Sequence, residues 1–209
     1  MGAYRPSHIA VVGGSGSGKT WIAEELVRVL APEAVRVSLD DFYRDLSTLP
    51  ESERTGCNFD EPMAIDWEAV ELAMASLDHG ETAWLPQYDF ATHTRRRETR
   101  AIAPVRGVIW DGLWLLHTAA LRARFVFSLF VDCPVAERLR RRTHRDQQER
   151  GRTRASVRRQ FEEQVQPLHG QHVEPQRRWA TRVVHSPLAA GAWRQLGEEV
   201  RAALGLGGF

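Results

Sequence analysis

The fold of this chain is decided by one stretch of sequence, Gly13-Gly14-Ser15-Gly16-Ser17-Gly18-Lys19-Thr20. It matches the pattern Gly-x-x-x-x-Gly-Lys-Ser/Thr at every fixed position, and this pattern is typical of a phosphate-binding loop between a strand and a helix. The apolar run at residues 8–12 predicts the strand, and the helical spacing of apolar residues within 21–30 predicts the helix. A flexible Gly/Ser linker can match by chance, but these flanking elements favour the loop.

The residue types in this stretch suit a triphosphate. Glycines let the main chain wrap with its N–H groups pointing inward, and the following helix adds the positive end of its dipole. Lys19 can reach the outer phosphates, and Thr20 can offer its hydroxyl to magnesium. Lys19 is also the only lysine among 28 Lys and Arg residues. A coding bias towards arginine explains the rarity of lysine, but a compact ammonium at this position is what phosphate binding requires.

Length and composition limit the classes of protein. The 209 residues suit one α/β domain, 1–209, with a small flap or lid. A net charge of +1 argues against an overall polyanion-binding field. Cys57 and Cys133 lack metal or redox spacing, which favours free thiols in a reducing compartment. No apolar run approaches the roughly 20 residues of a membrane span or resembles a signal peptide. We therefore expect a soluble cytoplasmic protein.

Carboxylates follow two predicted strands. Asp40 comes directly after the strand at residues 35–39, and Asp111 lies at the end of the apolar strand at 105–112. Ligands bind at the carboxyl edge of open α/β sheets, so Asp40 can accept a proton from a substrate hydroxyl or help hold magnesium. An Asp pair that caps a turn is the alternative. Asp111 has the Walker B arrangement, which predicts a magnesium ligand when the glycine loop is also present.

A loop and a flap follow the second strand. Asp60 lies in a loop, where it can accept hydrogen bonds from sugar hydroxyls or have no role, and Asp66 is a candidate N-cap for a helix over 67–77. The stretch at approximately 82–100 predicts a β-hairpin flap. Within it, Tyr88 can stack on a ring or hydrogen-bond to it, and His93 can donate to a carbonyl. A histidine in a loop is more often simply solvated.

The strand at 125–132 is almost continuously apolar, as expected for a central parallel strand, and a helix over 134–149 follows it. Arg138, Arg142 and Arg145 lie on one face of this helix. Gly151 then separates Arg150 from Arg152, and another helix covers 155–165 until Pro167 ends or kinks it. This pattern predicts a lid at approximately 138–160 that binds phosphate through bidentate arginines. Nucleic-acid binding is the weaker alternative, because few aromatic residues lie among the arginines.

Together these features resemble the uridine/cytidine kinase family of P-loop kinases from about residue 8 to 184. The matching motifs occur in the same order: Gly-Gly-Ser-Gly-Ser-Gly-Lys-Thr (13–20), Asp-Asp-Phe-Tyr-Arg (40–44), Asn-Phe-Asp-Glu-Pro (58–62), Pro-Gln-Tyr-Asp-Phe (86–90) with His93 and Arg95, Asp-Gly-Leu (111–113), Arg-Leu-x-Arg-Arg (138–142), Arg-Asp (145–146) and Glu-Arg-Gly-Arg (149–152). The fold class expected is α/β, a P-loop NTPase-type three-layer fold with a mainly parallel central sheet, a β-hairpin flap and a helical lid.

The resemblance also implies roles for individual residues. Asp40 resembles the acid near the nucleoside 5′-hydroxyl, as base or metal-side carboxylate, and Lys19 and Arg145 complete the catalytic set. The substrate-side residues implied are Asp60 for the ribose hydroxyls, Tyr88 and His93 for the pyrimidine ring, and Arg142, Arg152 and Gln160 of the lid. Arg145 and Arg150 resemble phosphate-side arginines. The metal ligands implied are Thr20, Asp40 and Asp111.

Two positions depart from the family pattern. The family commonly has Glu where Asp111 stands, so the metal contact here can run through water. Its usual His after the Phe-Asp pair is Glu61 in this chain, which bears on the substrate pocket more than on the ATP site.

The predicted reaction is transfer of the γ-phosphate of ATP or GTP, with Mg²⁺, to the 5′-hydroxyl of uridine or cytidine, as in pyrimidine salvage. The alternatives are a P-loop kinase of another small alcohol, of the pantothenate, phosphoribulose or nicotinamide riboside type, and a nucleotide-hydrolysing nucleic-acid-binding module. The resemblance implies a homo-oligomer, because the family tends to assemble as tetramers. We expect neither nucleic acid nor a membrane as a partner.

Overall fold

The computed structural model describes residues 5–54, 56–189 and 191–207. The strands in this part of the chain are β1 (Ser7–Gly13), β2 (Ala34–Ser38), β3 (Ala83–Leu85), β4 (Tyr88–Asp89), β5 (Thr94–Arg95), β6 (Arg100–Ile102), β7 (Gly107–Gly112), β8 (Phe125–Asp132) and β9 (Arg182–His185). Five of them form a central sheet in the order β2-β7-β1-β8-β9. Every neighbouring pair in that sheet is parallel, which confirms the α/β fold class predicted from the sequence.

Helices connect the parallel strands. The α-helices of the described residues are α1 (Lys19–Leu30), α2 (Glu51–Arg54), α3 (Trp67–Asp78), α4 (Ala119–Arg122), α5 (Val135–Glu149), α6 (Arg154–Gln160), α7 (Gln166–Leu168) and α8 (Ala192–Ala203). Asp66 caps α3 as predicted, because its side chain accepts a hydrogen bond from the backbone N–H of Ala69 at 3.1 Å. Within the described residues, no helix has the length and apolar character needed to cross a membrane.

The core lies in two layers, one on each face of the sheet. Successive side chains of a strand point to opposite faces. Ala10 and Val12 of β1 therefore pack with the buried face of α3, whereas Ile9 and Val11 pack with α1 and α8. Side chains on β7 and β8 are divided between the same two layers. Burial on both faces holds the middle strands rigidly, so the loops at their carboxyl ends start from fixed positions.

The flap is a pair of short antiparallel ladders. The outer ladder joins β3 to β6, and the inner ladder joins β4 to β5 with Tyr88 opposite Arg95 and Asp89 opposite Thr94. Arg95 anchors the inner ladder to the body of the protein, because its guanidinium donates to the carbonyls of Tyr43 and Phe42 at 2.9 and 3.2 Å. The aromatic side of the flap therefore faces the 3₁₀ turn after β2 (Leu39–Phe42).

The helix that follows the lid hinge is longer than the sequence predicts. Helical backbone continues from α6 through a π-helical segment (Phe161–Val165), α7, a second π-helical segment (His169–Val173) and a 3₁₀ segment (Glu174–Trp179). The sequence predicts that Pro167 ends or kinks the helix, and the first of these outcomes is wrong because helical backbone continues past it. Pro167 lies in α7 between the two π turns, which change the hydrogen-bond register around it.

Candidate active site

The glycine loop crosses the carboxyl edge of the central sheet between β1 and α1. Gly16 and Gly18 have φ angles of 78° and 94°, a backbone region that residues with a Cβ rarely adopt. Gly18 is the N-cap of α1, and the amide of Ile22 donates to its carbonyl at 3.0 Å. The first turn of α1 therefore directs its free N–H groups towards the loop, which is the arrangement that binds phosphate at a helix N-terminus.

Helix α5 supports this loop from one side. A Cβ on Gly14 or Gly16 would collide with Arg138, whose side chain is only 2 % exposed. Arg141 donates to the carbonyl of Ser17 at 3.1 Å, and Arg142 donates to the hydroxyl of Ser15 at 2.8 Å. The loop conformation and the arginine-rich helix are thus one packed unit.

Lys19 lies at the bottom of the loop. Its side chain is buried, and burial lowers the pKa of its ammonium, while the charges of Asp40 and Asp111 raise it. The opposing carboxylates keep a cation in place where solvent is largely excluded. A compact buried ammonium at the loop is suited to hold the outer phosphates of a nucleotide.

Two side chains whose oxygens can bind a metal ion, Thr20 and Asp111, lie beside Lys19. The hydroxyl of Thr20 donates to Oδ2 of Asp111 at 2.8 Å, and the guanidinium of Arg36 on β2 donates to Oδ1 of the same carboxylate at 2.7 Å. A hydroxyl and a carboxylate are the hard oxygen ligands that Mg²⁺ prefers. Among the described residues no cluster of three or more His, Cys, Asp or Glu side chains suited to a metal occurs. The donor set fits a magnesium ion that takes its other ligands from phosphate and water.

A cavity of about 470 Å³ opens in front of the loop. It brings together ten of the predicted site residues from five regions of the chain: Ser15, Lys19, Asp40, Asp60, His93, Arg142, Arg145, Arg150, Arg152 and Gln160. Thr20 and Asp111 lie beside Lys19 rather than on the cavity wall. Glu61, the departure from the family pattern, accepts a hydrogen bond from Asn58 at 2.8 Å and likewise does not line the cavity.

Asp60 lies on the cavity wall beside Arg142, the same arginine that donates to Ser15 of the glycine loop. Its side chain is 12 % exposed and lies 3.8 Å from the guanidinium of Arg142. Burial raises the pKa of this carboxyl, and the charge of Arg142 opposes that effect. The amide of Asp60 donates to the side-chain oxygen of Asn58 at 3.1 Å, which fixes the loop. A buried carboxylate with free acceptor capacity suits the recognition of neutral hydroxyl groups.

Aromatic rings form the remaining wall. Phe59 and His93 stack with ring centroids 4.5 Å apart and an interplanar angle of 13°. Tyr88 packs behind this pair, against Tyr43 and Phe90. Within the described part of the chain, the hydroxyl of Tyr88 and Nδ1 of His93 are buried without a hydrogen-bond partner. Such atoms are costly unless something pairs with them.

The imidazole of His93 is neutral near pH 7. Burial lowers its pKa, and the positive charges of Arg150 and Arg152 lower it further. His93 also has a φ of 55°, so the flap backbone is held in an uncommon conformation at this residue. A neutral imidazole held in this way can exchange hydrogen bonds with an uncharged ring.

Arginines of the lid cover the top of the cavity. Arg142 donates to the side-chain oxygen of Gln160 at 2.9 Å, and Arg152 donates to the same oxygen. Arg150 lies 4.5 Å above the ring of Phe90. The hinge around Gly151, with a φ of 61°, returns the chain so that α6 faces α5. This part of the site is strongly cationic.

Two charged side chains at the site had no role predicted from the sequence: Asp146 is fully buried among the lid arginines, and Arg36 holds Asp111. Arg138, predicted on the lid face of the helix, lies beneath the glycine loop and does not line the cavity. A partial signal exists for Asp146, because the Arg-Asp pair at 145–146 belongs to the family motif. No signal marks Arg36, since its partner is 75 residues away and the contact depends on β2 and β7 being neighbours.

A nucleotide-binding glycine loop, acidic strand ends and an arginine lid on a parallel sheet together define a P-loop kinase. Comparison with known proteins agrees. The model of the Phosphoribulokinase / Uridine kinase family matches residues 8–187, and the chain belongs to that family. It is therefore a phosphotransferase that acts on an alcohol group.

Individual relatives support the same assignment. A uridine kinase of Deinococcus deserti is 36 % identical over 205 residues, which is 97 % of this chain and 99 % of the relative. A uridine kinase of Chloroflexus aurantiacus is 39 % identical over 86 % of both chains. The solved phosphoribulokinase of Rhodobacter spheroides superposes with a TM-score of 0.63 at 14 % identity, covering 87 % of this chain and 70 % of that one, which shows a shared fold.

Proposed function

We propose that this protein transfers the γ-phosphate of ATP or GTP, with Mg²⁺, to the 5′-hydroxyl of uridine or cytidine. One observation carries the choice of acceptor: the cavity wall combines the buried carboxylate of Asp60 with a stacked aromatic surface and with Nδ1 of His93, which has no hydrogen-bond partner among the described residues. A ribose would pair with the carboxylate, and a flat polar base with the aromatic side. The relatives named uridine kinase are consistent with this acceptor.

The reaction needs positioning and charge stabilisation more than covalent chemistry by the protein. In this proposal the amides of the glycine loop and Lys19 hold the β- and γ-phosphates, and Arg145 and Arg150 bind the transferred group from the lid. Asp40, on the cavity wall near Lys19, orients the attacking hydroxyl and takes its proton. Thr20, Asp40 and Asp111 would hold the magnesium ion, which supplies charge neutralisation when bound.

The acceptor side is assigned to residues of the flap and lid. Asp60 binds the ribose hydroxyls, and His93 contacts the pyrimidine. Tyr88, predicted from the sequence as a second ring contact, does not line the cavity and supports Phe59 from behind. Arg142, Arg152 and Gln160 form a connected network beside Asp60, which holds the sugar while the lid closes. Since Glu61 pairs with Asn58 outside the cavity wall, the departure at this position leaves the proposed pocket intact.

A panel of alcohols with a coupled ADP assay tests the proposal. Uridine, cytidine, pantothenate, ribulose 5-phosphate and nicotinamide riboside are compared by kcat/KM with ATP and with GTP. We expect uridine or cytidine to exceed the other acceptors by at least about 100-fold, since unpaired buried polar groups penalise a wrong substrate. A higher kcat/KM for any acceptor that is not a pyrimidine nucleoside would overturn the assignment.

The tetramer that kinship implies is a separate proposal. Light scattering coupled to size-exclusion chromatography measures the mass in solution, and a particle of one 23.7 kDa chain would contradict it.

A further inference from the structure

A buried carboxylate organises the lid without facing the cavity. Asp146, near the end of α5, has no exposed surface. Four arginines surround its carboxylate: Arg145 at 2.8 Å, Arg142 at 3.4 Å, Arg150 at 3.7 Å and Arg152 at 3.8 Å. All four arginines line the cavity, and Asp146 lies behind them.

The four arginines differ in how they contact the carboxylate of Asp146. Among the described side chains, only that of Arg145 donates hydrogen bonds to the carboxylate of Asp146, from Nε at 2.9 Å and Nη2 at 2.8 Å, both to Oδ1. The backbone N–H of Arg152 donates to the backbone carbonyl of Asp146 at 3.1 Å. Oδ2 accepts no hydrogen bond from the described residues. Arg142 and Arg152 donate instead to neutral oxygens, those of Ser15, Gln160 and Ser156. One carboxylate thus fixes the direction of Arg145 and offsets the charge of the others without occupying their donors.

We propose that Asp146 is the positioning residue of the lid. It orients Arg145 towards the transferred phosphate and keeps the four guanidinium groups together when no anion is bound. Without this charge, the arginines would repel one another at close range in a poorly hydrated site. Asp146 acts through the arginines and never touches nucleotide or acceptor. The inference rests on the phosphoryl transfer proposed above, but not on which alcohol receives the phosphate.

Asp146→Asn tests this role, because it removes the charge and nearly preserves the shape. The matched control is Glu162→Gln, which breaks an exposed pair with Arg158 of 2.8 Å on the next helix. For Asp146→Asn we expect kcat to fall at least about 10-fold, because Arg145 loses its orientation. The Kd of ATP measured without acceptor should stay equal or become tighter, since one negative charge beside the phosphate site is gone. The control should match wild type in both quantities.

A double-mutant cycle with Arg145→Gln tests whether Asp146 acts through that arginine. If it does, Asp146→Asn costs little further activity once Arg145 is replaced. Multiplicative losses of kcat would overturn the proposal. So would an unchanged kcat in Asp146→Asn, or a loss of ATP affinity by the same factor as kcat, which would indicate collapse of the lid.

A measurement on the wild-type protein covers the case in which Asp146→Asn does not fold. In the free enzyme, the Nε–H of Arg145 should exchange slowly with solvent in ¹⁵N-edited NMR, because it donates a hydrogen bond to Oδ1 of Asp146. An Nε–H signal that exchanges as fast as that of exposed Arg158 would overturn the proposal. Neither this measurement nor the ATP titration involves an acceptor, and kcat is measured with the best alcohol of the panel. A wrong nucleoside assignment would therefore leave this test valid.

Discussion

The glycine loop and the lid line the same cavity, but they are built by different physical means. The loop is held by local backbone geometry, with Gly16 and Gly18 at positive φ and α1 starting at Lys19. The lid is held by charged side chains that meet from α5, the hinge at Gly151 and the loop containing Asp60. A site made of backbone is specified by a short stretch of sequence, whereas a site made of ion pairs exists only after the chain has folded.

This comparison predicts that substitutions in the glycine loop lower activity the most. Lys19→Ala should lower kcat by about 100-fold to 1,000-fold, because it removes a buried ammonium suited to hold the outer phosphates. The melting temperature and the kcat of the variant are measured beside those of Arg28→Ala. Arg28 lies on the same helix, where it is exposed and pairs only with Glu25 among the described residues. Near-normal turnover of a folded Lys19→Ala enzyme would remove the loop from the mechanism.

Replacement of the acids that follow the strands should have the next largest effect on kcat. Asp40→Asn should lower kcat by about 100-fold while the Kd of uridine changes little, as expected for a group that acts on the proton of the attacking hydroxyl. Asp41→Asn is the matched control, since Asp41 lies outside the cavity wall and 4.0 Å from Arg100. Rapid-quench kinetics and calorimetry separate the two quantities. An unchanged kcat would rule out Asp40 as the base.

On the acceptor side of the cavity, the loss of one contact to the substrate should have a smaller effect than the loss of Lys19 or Asp40. His93→Asn, which keeps a residue type tolerated at the φ of 55°, should weaken uridine binding about 10-fold by removing a ring contact. The Kd of ATP should not change. His79→Ala, at an exposed position after α3, provides the control. If ATP binding suffers as much as uridine binding, the flap does not belong to the acceptor side.

A smaller effect concerns stability near the junction of loop and lid. Burial and the charge of Arg138 lower the pKa of His169 to about 4 from its ordinary value of 6.5. Between those pH values the unfolded chain binds the extra proton, so the free energy of unfolding decreases as pH falls, by about 1 kcal/mol at pH 5.5. Urea unfolding of wild type and His169→Gln from pH 7.5 to 5 measures this pH dependence of the free energy of unfolding. A difference between the two proteins that does not vary with pH would contradict this prediction.

The sequence predicts well what depends on neighbouring residues. The helix cap at Asp66, the parallel sheet and the antiparallel flap follow from spacing and local chemistry. Ser15, Lys19 and Asp40 meet at one cavity because parallel strands bring their carboxyl ends to one edge, and the family motif predicts the flap and lid residues that join them. The helix beyond Pro167 could not be predicted, because its π turns depend on packing against the rest of the protein.

The networks of charged side chains are the second feature that could not be predicted from the sequence. The Arg-Asp motif at 145–146 indicates importance, but only the folded chain reveals four arginines around one carboxylate. Arg36 is an ordinary surface residue of a strand by sequence. Its contact with Asp111 arises because β2 pairs with β7 in parallel, with Ser38 opposite Asp111 and Arg36 opposite Ile109.

The bond between Arg36 and Asp111 has a consequence for the apoprotein. Both oxygens of this carboxylate already accept hydrogen bonds, from Arg36 and from Thr20. The acidic end of β7 is therefore neutralised within the protein itself, while each oxygen keeps a lone pair that a divalent ion can use. Folding of the apoprotein then does not depend on the ion, and chelation by EDTA should leave the melting temperature of the nucleotide-free protein unchanged.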